Sequence, residues 1–348
     1  MFFTEDTKIT EIAVHRVGSQ TDPEGGIMIS DGVLHLDEFT ENAMIHFLFS
    51  SFKYDEYYRF VAQDGNVSDN GVYRCVSSIL TGSDSLYMHS VALAKMLYAK
   101  CISENILKGE FYVVKFQNCV YQDQLVNAVG LFKAEKKETF LKVYAEGNAL
   151  QVQAEEGSLV SKIEKGCLVL DVQSTDGYVV AAFDSGKGEN GNYWMDNFLG
   201  LCQMENNFFQ TQKAIEMCND FVRTALPENF NITKDQQAIL LNRSAEFFKT
   251  NDEFSFDDYA KEVIQNDEAE EQFKFYRSQC ENYGGYQLND NFDISETAVK
   301  KQAKILKSVI KLDKNFHVYV HGKRDFISRG YDQDRKMQYY QLYFNEED

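Results

Sequence analysis

The sequence is poor in proline, in paired cysteines and in positive charge. Only two of its 348 residues are proline, Pro23 and Pro227, so no proline-rich linker divides the chain. The seven cysteines are scattered and none forms a Cys-x-x-Cys pair, which argues against a zinc ribbon or a thioredoxin-like site and is typical of reduced thiols. The formal net charge is −19, which argues against a uniformly basic nucleic-acid binder because a polyanion would be repelled.

Export signals and long apolar runs are also missing. Met1–Asp6 has no basic residue, so no signal peptide is expected. The most apolar window, Ala43–Phe52, is about half as long as a membrane span and contains His46, which favours a buried helix. We therefore expect a cytoplasmic protein with no membrane contact. With 44% hydrophobic and 14% aromatic residues, the chain can bury a large core.

The pattern of residues changes near position 205. Up to that point a helix with Asp37 as N-cap and a second helix on Leu86, Leu93 and Leu97 accompany a series of strand-like segments separated by glycines. This series predicts an antiparallel sheet with helices on one side. The predicted strands are 9–17, 57–62, 110–116, 128–132, 139–144, 150–154, 167–172 and 178–183.

The second part is predicted to be helical, with strands at its end. A helix on Phe208 and Ile215 should stop at Pro227, and Thr233 with Gln236 forms a capping box for the next helix. Asp293 and Glu296 form a similar pattern. The fold class is therefore predicted as α+β. An N-terminal domain over 1–205 is followed by a helical domain over 206–348 that ends in a small β-meander.

Two short motifs have weak functional interpretations. Gly186–Gly191 matches G-x-G-x-x-G, but no long helix follows, so a loop is favoured over a nucleotide site. Glu135-Lys136-Lys137 has the E-x-K form of some Mg²⁺-dependent nucleases, with Asp123 as the nearby acidic candidate. A solvated turn is the simpler interpretation. We predict no catalytic residue, no metal site and no cofactor.

Charge is distributed unevenly along the chain. The window 300–336 holds eleven basic and four acidic residues, a net charge of +7, which leaves about −26 for the remainder. A basic surface interleaved with tyrosines is a reasonable footprint for DNA, although a solvated face, or one docked on the acidic stretch, fits equally well. The candidate DNA-binding residues are Lys300, Lys301, Lys304, Lys307, Lys311, Lys314, Lys323, Arg324, Arg329, Arg335 and Lys336.

An acidic stretch lies just upstream, between Asp252 and Glu271. It carries nine carboxylates and a single lysine, Lys261. Such a stretch could mimic DNA or dock on a basic protein. The candidate partner-binding residues are Asp252, Glu253, Asp257, Asp258, Glu262, Glu268 and Glu271.

Six segments, taken in order, resemble the bacterial NdpA-type (YejK-type) nucleoid-associated proteins. They are Ile12–Gly18, Gly130–Glu135, Lys165–Val169, Tyr193–Leu199, Arg329–Tyr331 and Tyr339–Phe344. The resemblance implies a protein of the nucleoid that binds double-stranded DNA and has possible contact with type II topoisomerases. It names no catalytic residue.

Three hypotheses follow. The first is a non-enzymatic nucleoid-associated protein whose 300–336 region contacts phosphates largely without reading sequence. The second is an adaptor that binds DNA enzymes through the acidic stretch, and the third is a metal-dependent nuclease that uses Glu135 and Lys137. A homodimer is plausible for DNA bridging, but no heptad pattern supports it. Trp194 is expected to pack in a core.

Overall fold

The chain forms two compact units, Met1–Met204 and Glu205–Asp348. Whether they fold independently, as the proposed domains would, stays a prediction. The computed structural model describes residues 2–22, 26–53, 55–62, 66–186, 193–306, 309–312, 316–319 and 327–346.

The first unit is built on strands that closely follow the predicted segments. They are β1 (Lys8–Val17), β2 (Ile27–Met28), β3 (Tyr57–Phe60), β4 (Gly109–Tyr121), β5 (Gln124–Ala134), β6 (Glu138–Glu146), β7 (Ala149–Gly157), β8 (Lys165–Leu170), β9 (Val179–Asp184) and β10 (Leu201–Gln203). Eight of them form one sheet in the order β10-β3-β9-β8-β5-β4-β1-β2. Every pairing in this sheet is antiparallel, as predicted.

Helices cover both faces of this sheet, so the expectation of helices on one side is wrong. The helices are α1 (Glu38–Phe49), α2 (Gly71–Thr81) and α3 (Leu86–Lys100). Helices α2 and α3 share a core with Val113 and Leu131, whereas α1 packs with Val114 and Phe132. All six residues of β8 are buried, and a strand that is buried on both sides needs a layer on each.

Two local predictions in the first unit, an N-cap and a core residue, agree with the structure. The Asp37 side chain accepts a hydrogen bond from the Thr40 amide at 2.7 Å, which confirms the predicted N-cap of α1. A π-helical turn, Tyr193–Leu199, carries Trp194, which is fully buried against Phe111 and Phe198. The expected core role of Trp194 is thereby confirmed.

The second unit is mainly helical. Its helices are α4 (Asn207–Asp220), α5 (Leu226–Asn229), α6 (Lys234–Thr250), α7 (Phe256–Tyr259), α8 (Asp267–Gly284) and α9 (Glu296–Lys301), and its strands are β11 (Glu253–Ser255), β12 (Asn291–Asp293), β13 (Val309–Leu312), β14 (Phe316–Tyr319), β15 (Ile327–Asp332) and β16 (Met337–Leu342). Its core is aromatic, with Phe254, Tyr259 and Phe273 almost completely buried. The α+β fold class is confirmed.

Three local predictions in the second unit need correction or refinement. Pro227 does not end the first helix, because a π-helical turn, Phe221–Ala225, places the proline at the start of α5, where no amide donor is needed. The predicted capping box of α6 is confirmed.

The N-cap of α9 is Ser295, not Asp293, which lies in β12. In the part of the chain that is described, the terminal strands form two hairpins, β13–β14 and β15–β16, in place of one meander.

Candidate nucleic-acid interface

Part of the predicted basic region can be placed in the structure. Lys307, Lys314, Lys323 and Arg324 lie outside the described residues, and Lys311 lies in β13. The six described side chains are those of Lys300, Lys301, Lys304, Arg329, Arg335 and Lys336. They belong to two places in the second unit, the end of α9 with the following turn, and the β15–β16 hairpin.

The spacing of Lys300, Lys304 and Lys307 would place all three on one face of a longer helix, but the helix that starts this region is too short. Helix α9 ends at Lys301 and the chain turns over 302–306. Lys300 is 70% exposed and lies 3.1 Å from the Glu296 carboxylate one turn earlier. The Lys301 ammonium lies 5.5 Å from the centre of the Phe208 ring. Lys304 is exposed, so this place presents cations to solvent but does not align three of them on one helical face.

The β15–β16 hairpin combines basic and aromatic side chains. Ile327 and Tyr340 pack with Ala238 of α6, which anchors one face of the hairpin. On the other face the Tyr339 ring lies over Gly330, where a Cβ atom would be 2.3 Å from it. Tyr331 and Tyr339 are exposed. The hairpin therefore offers rings on which bases or sugars can pack.

The cations of this hairpin are held locally. Arg329 donates a hydrogen bond to the Gln338 side chain on the neighbouring strand. Arg335 is 81% exposed and lies 3.8 Å from the Asp332 carboxylate. Lys336 is exposed in the turn. Because exposed pairs are worth little, a phosphate can compete for these cations at small cost.

The acidic stretch is also on the surface. All seven candidate partner-binding carboxylates are exposed. Asp257 and Glu271 lie 4.0 Å and 3.9 Å from the Lys274 ammonium, so these two have a basic neighbour close to them in the chain. Asp267, Glu268 and Glu270 occupy the first turn of α8, where carboxylates stabilise a helix through its dipole.

A buried charged cluster in the first unit was not predicted. Lys133 is completely buried at the end of β5, and its ammonium contacts the Leu107 carbonyl at 2.8 Å, Glu135 at 2.9 Å and the Tyr193 hydroxyl at 3.3 Å. These three acceptors match the three donors of an ammonium. On β8, Lys165 lies 2.7 Å from Asp184 and 3.7 Å from Glu135. We call these residues, Lys133, Glu135, Lys165, Asp184 and Tyr193, the buried charged cluster.

The buried charged cluster is electrically balanced, with two ammonium groups facing two carboxylates. Tyr193 donates a hydrogen bond to Glu135 at 2.8 Å. Burial, assisted by the neighbouring Glu135 charge, raises the pKa of the Tyr193 hydroxyl well above its ordinary value, so the phenol keeps its proton. The cluster therefore joins β5, β8, β9 and the π-helical turn through paired charges, and its lysines have no charge to spare for a phosphate.

The two residues of the E-x-K motif, Glu135 and Lys137, have different partners in the structure. Glu135 belongs to the buried charged cluster, whereas Lys137 pairs with Glu110 and contacts the Ser158 hydroxyl. Asp123 lies in the turn between β4 and β5, at the opposite end of β5 from Glu135. Among the residues that are described, no group of three or more His, Cys, Asp or Glu side chains is placed to hold a metal ion. Residues 187–191 of the glycine motif lie outside the described residues.

The buried charged cluster had one signal in the sequence. Lys133 interrupts a run in which the last seven residues of β5 are all buried, and a lysine inside such a run needs a partner. The partners come from distant positions, however, and no local pattern shows that strands β5, β8 and β9 bring them together.

Three of the six segments that carry the family resemblance meet at the buried charged cluster: 130–135, 165–169 and 193–199. In the part of the chain that the structure covers, no helix is both long and apolar enough to cross a bilayer. No curated protein matches the chain. A family model described as nucleoid-associated protein YejK matches residues 13–336, nearly the whole length, and the chain therefore belongs to that family.

Proposed function

We propose that the protein binds double-stranded DNA in the bacterial nucleoid without catalysing a reaction, and that the C-terminal basic region makes the contacts. Membership of the nucleoid-associated family supports the setting. The single observation that carries the placement is the exposure of Lys300, Lys304, Arg335 and Lys336. Phosphates give affinity to such a surface but little base readout, so binding should be largely independent of sequence.

The contrast with the two buried lysines of the first unit supports this placement. There Lys133 and Lys165 are buried and paired with carboxylates, so they cannot reach a duplex. The exposed cations of the second unit make only weak local pairs, which a phosphate can replace. With a formal net charge of −19, the protein should approach DNA in one orientation and bind weakly at physiological salt.

Fluorescence anisotropy with two labelled duplexes of unrelated sequence tests the proposal. The variant Lys304→Glu/Arg335→Glu/Lys336→Glu should bind both duplexes at least tenfold more weakly than the wild type. A control with the same charge change on exposed lysines of the first unit, Lys8→Glu/Lys95→Glu/Lys100→Glu, should lose much less. Equal losses in the two variants would mean that net charge, not this surface, determines binding.

A second candidate function is that of an adaptor for DNA enzymes such as type II topoisomerases. The observation that favours it is the exposure of all seven candidate carboxylates of the acidic stretch, next to an aromatic core. A basic protein surface could dock there in place of DNA. Binding of a purified topoisomerase without DNA should then weaken in Asp257→Asn/Asp258→Asn/Glu262→Gln.

The matched control for this experiment neutralises three exposed carboxylates of the first unit, Glu5→Gln/Glu11→Gln/Glu104→Gln. The control should bind the topoisomerase as the wild type does. Binding that survives in both variants would remove the adaptor hypothesis and leave DNA binding as a separate question.

A further inference from the structure

Strands β6 and β7 form an arm that extends from the main sheet. They connect β5 to β8, which pair with each other, and form a separate two-stranded sheet of nine cross-strand pairs. Gly147, with a φ of 60°, begins the two-residue turn at the tip, where a tight hairpin favours glycine. Nearly every residue of the arm is exposed. Isolated two-stranded hairpins are marginal in water, so such an arm gains stability when something covers it.

The two faces of the arm differ sharply. Paired residues of an antiparallel ribbon point to the same side. One side carries the ion pair of Lys142 with Glu155, at 3.3 Å, and the Phe140 ring, which lies over Gly157. The other side carries three consecutive aliphatic pairs, and we call it the aliphatic face of the arm: Leu141 with Ala154, Val143 with Val152, and Ala145 with Leu150.

The aliphatic face is open to solvent. Leu141, Val143, Leu150 and Val152 are exposed by 70%, 61%, 76% and 63%. No charged side chain occurs in its three pairs, so the charges of the arm lie on the other side or at the ends. Contiguous apolar surface of this kind marks an interaction site.

The sizes of the side chains make this face complementary to itself. Leucines occupy one diagonal of the face, at 141 and 150, and alanines the other, at 145 and 154, with two valines between them. When a second arm packs face to face through a two-fold axis in the interface plane, each leucine lies over an alanine of the other copy. Large over small is the arrangement that fills a core without voids, and a two-fold interface uses the same patch twice.

We propose that the aliphatic face of the arm is a dimer interface, and that a second copy of this chain covers it. Charge supports an identical partner because an uncharged face does not repel itself. Nine residues at about 3.4 Å each give an arm about 30 Å long. Two such faces bury less than the roughly 1,200 Å² of a standard stable interface, so the dimer should be reversible and depend on protein concentration.

Salt should act on this dimer in the opposite direction to its effect on DNA binding. Each chain carries a formal charge of −19, so two chains repel each other and added salt screens that repulsion. The apolar contact itself is not weakened by screening. The dimer should therefore become more populated as the salt concentration rises, whereas a dimer held by acidic and basic patches would dissociate.

Sedimentation equilibrium of the full chain tests the proposal. The wild type should approach twice its 40.1 kDa mass at tens of micromolar and do so at lower concentration in high salt. Val143→Glu should raise the dimer dissociation constant at least tenfold. Tyr144→Glu makes the same charge change on the next residue, on the other side of the ribbon, and should leave the dimer intact.

Two further experiments separate loss of the dimer from loss of the fold and identify the two-fold axis. Val143→Thr keeps a β-branched side chain and guards against misfolding; it should weaken the dimer while its circular dichroism stays that of the wild type. Val143→Glu chains are mixed in equal amounts with Val152→Lys chains in one sample and with Val143→Lys chains in another. The dimer should return in only one of the two mixtures, and that mixture shows whether position 143 faces position 152 or position 143 of the other copy. A monomeric wild type, or a dimer that Tyr144→Glu disrupts as much as Val143→Glu, would overturn the proposal.

Discussion

Two sets of charges, one in each unit, differ in their exposure. In the first unit, lysines 133 and 165 are buried, and carboxylates and a tyrosine hydroxyl surround them. In the second, the seven candidate carboxylates of the acidic stretch and the cations of Lys300, Lys304, Arg335 and Lys336 are exposed, and the core is aromatic. Burial makes a charge structural, because its partners must stay in place. Exposure leaves a charge available to a partner, and measurements of stability and of binding separate these two cases.

The largest effect should come from breaking the buried charged cluster. Lys133→Met removes the ammonium and leaves Glu135 buried with one partner fewer, which should cost about 3–5 kcal/mol of unfolding free energy. Urea denaturation followed by circular dichroism measures the change. The control Lys142→Met breaks the exposed pair with Glu155 and should cost less than about 1 kcal/mol. Similar costs for the two variants would contradict the distinction.

Removing one hydroxyl should have an intermediate effect. Tyr193→Phe deletes the hydrogen bond to Glu135 without changing the ring that packs there. A buried hydrogen bond to a charged group contributes about 1.5–3 kcal/mol, and the unfolding free energy should fall by that amount. Tyr87→Phe, which loses a half-buried bond to the Ser30 carbonyl, should cost less.

A buried histidine, His15, should make the first unit sensitive to acid. Its Nε2 lies 2.8 Å from the Ser90 hydroxyl, the Ser30 amide donates to its Nδ1, and burial lowers the pKa of His15. The folded protein thus binds a proton less readily than the unfolded chain. The unfolding free energy should be constant above about pH 6.5 and fall as the pH drops from there towards the lowered pKa.

The size of this fall is at most about 1.4 kcal/mol for each unit by which the pKa of His15 is lowered. His15→Gln should flatten the pH dependence in this range, measured by urea denaturation at several pH values. The exposed His35 provides the control, because His35→Gln should leave the fall as it is in the wild type. An unchanged fall in His15→Gln would assign the acid sensitivity to another group.

The smallest effect on stability belongs to the proposed DNA surface. Lys300→Ala breaks a pair whose lysine is 70% exposed, and its unfolding free energy should change by less than about 0.5 kcal/mol. Thermal denaturation followed by circular dichroism checks this. A larger loss would mean that Lys300 has a structural role, and its use in binding experiments would then be misleading.

The sheet could be predicted from the sequence because its signals are local. Glycines bound strands of alternating or continuous apolar pattern, and the Asp37 cap marks the start of α1. The short helix α9 could not be predicted in the same way, since the spacing of Lys300, Lys304 and Lys307 fits a longer helix. Its end at Lys301 is followed by burial of Gln302 and Leu306, a tertiary requirement that the spacing of lysines does not reveal.

The candidate sites differ in the same way, because some consist of neighbouring residues and others depend on tertiary contacts. Charge runs such as Asp252–Glu271 are visible in a sequence because every member is local. The buried charged cluster depends on pairing β5 with β8 and β8 with β9, so Lys165 meets Glu135 and Asp184 only in the folded sheet. The aliphatic face of the arm could not be predicted for another reason. Its residue pattern resembles that of an ordinary sheet strand, and only the fold shows that the described strands of the main sheet do not pair with the arm.

The salt dependence of DNA binding tests the central claim most directly, that exposed cations of the second unit contact phosphates. Binding constants of the wild type and of Lys304→Glu/Arg335→Glu/Lys336→Glu would be measured from 50 to 200 mM salt. Each lost contact reduces the log–log slope by about 0.9, so the variant should show a slope smaller by up to about 2.7. A slope equal to that of the wild type would contradict the claim.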